Sequence, residues 1–126
     1  MGYRSQVVLA ISKELQPHFM VALGACPAAT ALVFNDADRF DRDYHQDGSG
    51  HWLLHWDSIK WYDSFEEIAT LEKFVEAAND DCFELGEGDG ESSENIKFVR
   101  VGENSDDIQH LGFGFDDVYA STSISF

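Results

Sequence analysis

The spacing of apolar residues changes period several times along this chain, and that switching restricts the fold more than any other feature. Between Tyr3 and Ile11, Val7, Leu9 and Ile11 alternate with Gln6, Val8 and Ala10. A period of two rich in β-branched residues predicts a strand. Ser12 then stands where a helix cap is needed, and Leu15, Phe19, Ala22 and Leu23 recur at helical spacing up to Gly24. Pro27 suits the first turn of a second short helix through Ala28, Ala31, Leu32 and Phe34. The stretch 35–50 is polar, holds Asp36, Asp38, Asp41, Asp43 and Asp47, and reads as a loop.

The period of two returns from His51 to Lys60. Trp52, Leu54 and Trp56 fall on one face, and His51, Leu53, His55, Asp57 and Ile59 on the other. Asp63 or Ser64 is expected to cap a helix with Glu66 and Glu67 in its first turn. Its apolar stripe is Phe65, Ile68, Leu71, Phe74, Val75 and Ala78. After a Gly/Glu/Ser loop over 86–93, Asn95–Val101 reads as a strand with Ile96 and Phe98 opposite Val99 and Val101. A turn follows over 102–107, then a short extra strand within 111–115 and a last strand over 118–126 with one wet face. The expected order is β-α-α-β-α-β-β. This predicts an α+β fold: a single-layer, mainly antiparallel sheet with helices packed on one face, loosely ferredoxin-like. At 126 residues, with no internal repeat or long linker, 1–126 is expected to form one domain.

Charge narrows the function. Eight Lys and Arg against 24 Asp and Glu leave −16, which argues against direct nucleic-acid binding and against adhesion to an anionic membrane face. The excess is concentrated. Residues 1–35 carry a net +1, 36–62 carry −3, 63–94 carry −11 and 95–126 carry −3. Within 63–94, Lys73 is the one cation among twelve acids. The carboxylates Glu66, Glu67, Glu72, Glu76 and Asp80 must lie opposite the apolar stripe of their helix, and Asp81, Glu84, Glu87, Asp89 and Glu91 continue them into the loop. These ten are the candidate partner-binding residues. Like charges four apart, such as Glu72 and Glu76, oppose helix formation, so the face is either a solubility device or a dock for a basic surface.

Other chemistry is thinly represented. Asp43-x-His45-x-Asp47-Gly48 imitates the start of a calcium loop, but His45 stands at its third position, where Asp or Asn belongs, and Leu54 at its twelfth, where Glu belongs. His51 and His55 are four apart on a strand, so their Cα atoms lie roughly 13 Å apart and cannot share an ion directly. No metal site or cofactor is assigned. Gly86-x-Gly88-x-Gly90 is laced with acids that would repel phosphate. Arg4, His55, Trp61 and Tyr62 are the candidates for a small-molecule pocket. Cys26 and Cys82 are expected to be free thiols in a reducing cytosol. Leu23-Gly24-Ala25-Cys26 imitates a lipoprotein box but lies too late behind polar residues, and Pro17, Gly24 and Pro27 interrupt the apolar run. A cytoplasmic chain is expected.

Four segments add a resemblance. Met1-Gly2-Tyr3-Arg4-Ser5, Trp56-Asp57-Ser58-Ile59-Lys60-Trp61-Tyr62, Val101-Gly102-Glu103 with Asp106-Asp107-Ile108, and Ser123-Ile124-Ser125-Phe126 occur in that order. The pattern resembles a group of small bacteriophage and prophage proteins. It covers most of the chain as short islands at strand starts, a strand-to-helix corner and a terminal strand, and it carries over no catalytic residue. The resemblance implies a phage accessory protein that binds and blocks a host enzyme or defence complex, in the host cytoplasm.

The leading expectation is therefore a non-enzymatic inhibitor whose acidic helix and loop engage a basic host protein. The alternatives are a nucleotide or small-molecule binder around Arg4, His55, Trp61 and Tyr62, and a metal-dependent hydrolase built from His45, His51, His55 and nearby Asp. A homodimer through sheet edges stays open.

Overall fold

β1 (Ser5–Ile11) lies at the centre of a five-stranded antiparallel sheet in the computed structural model, which describes residues 3–104, 106–120 and 124–125. One neighbour is β3 (Trp52–Ile59) and the other is β4 (Ile96–Gly102). β2 (Arg39–Asp41) flanks β3 and β5 (Ile108–Leu111) flanks β4, giving the order β2-β3-β1-β4-β5. Two helices, α1 (Gln16–Gly24) and α2 (Pro27–Phe34), connect β1 to β2, while α3 (Glu66–Asn79) connects β3 to β4. In each case one strand lies between the two connected strands. The first four strands thus form two interlocked split β-α-β units, the ferredoxin-like plan with β5 added at one edge. A 3₁₀ helix at Ser92–Asn95 leads into β4, and β6 (Tyr119–Ala120) pairs with β7 (Ile124–Ser125).

The helix layer covers one face. Val7, Leu9, Ile11, Leu54, Trp56, Ile96 and Phe98 meet Phe19, Leu23, Val33, Ile68, Leu71, Phe74 and Val75 in a single buried cluster. Each large apolar side chain fully buried there contributes about 1.5–3 kcal/mol. Trp56 also satisfies its ring nitrogen, donating to the Leu32 carbonyl at 3.2 Å. Cys26 is the buried residue that opens α2, and Cys82 is exposed; both are free thiols.

Several expectations change. The loop 35–50 contains β2, and the expected last strand holds two short strands, β6 and β7, that pair with each other. Residues 121–123 and 126 of that expected strand lie outside the described residues. The extra strand is β5, starting earlier than 111–115. The far face of the sheet is not wet. Val8, Ala10, Leu53, Val99 and Val101 are buried there under Val118, with Tyr44 and Phe115 packed against them.

Ile59 packs with the helix-side cluster rather than with Leu53. Ser5 pairs with Ile59 but Val7 with Trp56, so two steps along β1 oppose three along β3. That bulge inserts one residue and turns the remaining side chains over. At α3, the residue before the first turn is Phe65, with no side-chain cap, in place of Asp63 or Ser64.

Candidate functional site

The buried stripe of α3 is Ile68, Leu71, Phe74, Val75 and Ala78. The 3.6-residue period then sends Glu66, Lys73, Glu76 and Asp80 outward, and all four are exposed. Glu84 and Glu87 follow, exposed, in the loop beyond. Among the described residues the ion pairs are Arg39–Asp41, His45–Asp117, His55–Asp57 and Arg100–Asp107, and none uses an acid from 63–94. Among the described residues no carboxylate of this region is held in an ion pair by the protein's own cations.

The ten candidate acids divide into two groups. Glu66, Glu76, Asp80, Glu84 and Glu87 are exposed and make no side-chain contact that the fold needs. Others serve the fold. Glu72 is half-buried and accepts a 2.9 Å hydrogen bond from Trp61 Nε1. Asp81, in the left-handed region at φ +59°, accepts from the Ser93 amide at 3.0 Å. Hydrogen bonds from the Ser93 side chain and backbone hold its carboxyl below the usual range. Glu91 caps the 3₁₀ helix reciprocally with Glu94. Asn95 ties the loop down by donating to the backbone carbonyls of Asp89 and Glu91, while the Asp89 side chain is exposed. Glu67, half-buried, lines a cleft rather than the outer ridge.

That cleft, of about 380 Å³, is bounded by Arg4, Leu32, Asp36, Asp38, Trp56, Ser58, Ile59, Lys60, Phe65, Glu67 and Ile68. A second hollow of about 270 Å³ shares Arg4 and Ser58 with it and adds Gln6, Asp57, Val101 and Glu103. Arg4 donates to the Ser58 carbonyl at 3.3 Å. Of the four pocket candidates, Arg4 alone lines these hollows. Trp61 is buried against Trp56 and Phe98, Tyr62 rests on Phe65, and His55 contacts Gln6. Burial holds the His55 pKa below the usual histidine value, against the opposing pull of Asp57 and Asp38.

Three of the four resembling segments converge beside Arg4. The Tyr3 hydroxyl donates to Asp107 at 2.7 Å, and Arg100 holds the same carboxylate with two bonds of 2.7 and 3.1 Å. Arg100 also donates to Ser5 Oγ, and the Asn104 amide donates to the Tyr3 hydroxyl. The Arg100 contacts, followed by Tyr3, lower the Asp107 pKa. A Cβ on Gly102 would stand 2.2 Å from the Tyr3 oxygen, so this network needs glycine there. Its members are paired with one another and so tie the start of β1 to the end of β4 and the turn that follows it.

The histidines do not assemble as a metal centre. The His45 and His51 rings lie 5.7 Å apart against Phe115, and His51 Nδ1 accepts from the Lys13 amide. His55 is far along β3, paired with Val8 and Arg39. Among the described residues no three His, Cys, Asp or Glu side chains gather as metal ligands. Asp43 turns its oxygens inward, onto the Gly48 and Gly50 amides. No helix is long and apolar enough to cross a membrane among the described residues. Comparison with known protein families, curated proteins and solved structures finds no match.

Proposed function

We propose that this protein works by binding rather than catalysis, docking the outer face of α3 and the loop after it on a basic surface of another protein. Following the resemblance to phage and prophage proteins, the partner is a host protein in the cytoplasm and docking inhibits it. A target that normally holds nucleic acid in a basic channel suits this reading, because a row of carboxylates replaces phosphates. The observation that carries it is the exposed series Glu66, Glu76, Asp80, Glu84 and Glu87, outside every ion pair among the described residues.

Exposed charge pairs are screened over about 8 Å at physiological salt. The docking reading therefore predicts that tagged protein retains a specific host partner at about 50 mM salt and releases it by about 500 mM. Absence of any specific partner at the lower salt contradicts it. The cleft beside Arg4 supports a second reading, a small-molecule site. Asp36, Asp38 and Glu67 outnumber Arg4 and Lys60 in its wall, which disfavours an anionic ligand such as a nucleotide. A thermal-shift screen separates the two, since the docking reading predicts no small-molecule stabilisation.

A further inference from the structure

Leu111-Gly112-Phe113-Gly114-Phe115 starts on the last residue of β5, and its two glycines are required for different contacts. Gly112 has φ +87°, and a Cβ there would come within 2.1 Å of the Ile96 carbonyl oxygen. A Cβ on Gly114 would stand 2.6 Å from the Glu94 carbonyl oxygen. Side chains are excluded at both positions, so the segment lies directly on the backbone where the 3₁₀ helix becomes β4. Hydrogen bonds fix it there. The Gly112 amide donates to Asn79 Oδ1 at 2.9 Å, the Phe113 amide to the Ser93 carbonyl at 2.6 Å and the Gly114 amide to the Ile96 carbonyl at 3.0 Å.

All this order supports a side chain that the fold does not use. Phe113 is 71% exposed, against 39% for Phe65 and 54% for Tyr119. A large aromatic left in water on a fixed backbone loses little freedom when a partner covers it, which is the arrangement of an interface hot spot. Its support belongs to the acidic region. Ser93, which accepts from the Phe113 amide, also donates its own amide to Asp81, and Asn79 is the last residue of α3 before Asp80. Glu91 and Glu94 cap the same 3₁₀ helix.

We propose that Phe113 is the apolar anchor of the acidic face, and that the partner presents an apolar socket ringed by Lys and Arg. This rests on the docking reading above. The carboxylates of 63–94, which adjoin its backbone support at Asp81, Glu91 and Glu94, select the partner: they repel a second copy of this −16 chain and an anionic lipid surface, and they attract a cationic rim. Neutral contact with the socket supplies what charge alone cannot, a preference among basic surfaces.

Two helical peptides of equal positive charge test it, one with Leu along a face between the lysines and one with Ser in those places. Titrated into the full chain at low salt, the Lys/Leu peptide should bind at least about tenfold tighter than the Lys/Ser peptide. Phe113→Ala should abolish that preference and leave the Lys/Ser affinity unchanged, while Phe113→Leu should keep part of it. A Phe113→Ala protein with the preference intact overturns the anchor and leaves the docking reading standing. Failure of both peptides to bind wild-type protein removes both. Dissociation of a wild-type dimer by Phe113→Ala in sedimentation makes a second copy the occupant and also overturns the proposal.

Discussion

Asp81 and Glu76 have the same charge and lie five residues apart, yet the structure gives them opposite duties. Asp81 holds a left-handed backbone and receives the Ser93 amide, whereas Glu76 projects from α3 into solvent. Asp81→Ala should therefore lower the melting temperature, and Asp81→Asn should recover most of the loss, because Asn tolerates positive φ and keeps an acceptor. Differential scanning fluorimetry distinguishes the two. Composition counts both residues alike; only the fold-back of 92–95 onto the end of α3 separates them, and no local pattern announces it.

Asp107 and His55 divide the acid limb of stability by pH. Asp107 has a folded pKa lowered by Arg100 and Tyr3, so its contribution is complete above the unfolded value near 4 and disappears as pH falls through the folded one. His55 is lowered by burial, so its contribution is complete above about 6.5 and declines below that. Urea midpoints measured against pH should show a first decline beginning near 6.5 that His55→Gln reduces, and a steeper one below about 4 that Asp107→Asn reduces. A profile unchanged by either substitution contradicts these assignments.

At the scale of elements, what was legible followed periodicity. β1 and β4 are seven-residue runs rich in apolar and β-branched residues, and α3 shows a clear apolar stripe, so their existence and their faces toward each other could be read directly. β2 could not, because Arg39-Phe40-Asp41 is three residues long and held by β3 rather than by its own pattern. The bulge opposite Ser5 hides in the same way: Ile59 continues the alternation in sequence and breaks it in space. The buried far face needed Val118 and Phe115 to fold back, a tertiary event outside any window of sequence.

α3 also bears internal repulsion, with Glu76 four residues from both Glu72 and Asp80. Glu76→Lys relieves two like-charge pairs and creates one with Lys73, three residues back, so it should raise stability by about a few tenths of a kcal/mol in all. A fall in the chemical-denaturation midpoint would mean that Glu76 has a structural role. Packing of α1 against the same helix is less forgiving. Phe19, fully buried with its ring 5.0 Å from Phe74, should cost about 3–5 kcal/mol when changed to Ala.

On the scale of the whole molecule, −16 acts against compactness, and on the docking reading it also draws a basic partner. Raising salt should increase the melting temperature of the free protein by weakening self-repulsion, while it loosens the complex. Opposite responses of fold and complex to one variable distinguish an exposed acidic dock from a surface already neutralised within the chain. The candidate site was legible as charge, since 63–94 stands out on counting alone. Its division into exposed and structural acids, and the position of Phe113, depend on contacts between segments distant in sequence.

The most direct measurement is affinity capture with a variant in which Glu66, Glu76, Glu84 and Glu87 become Gln and Asp80 becomes Asn. Circular dichroism should show it folded and at least as stable as the parent, because none of the five carries a structural contact. If the outer face of α3 and its loop form the dock, this variant retains no host protein at low salt that the wild type captures. Capture of the same partner, undiminished and with the same release by salt, would contradict the account.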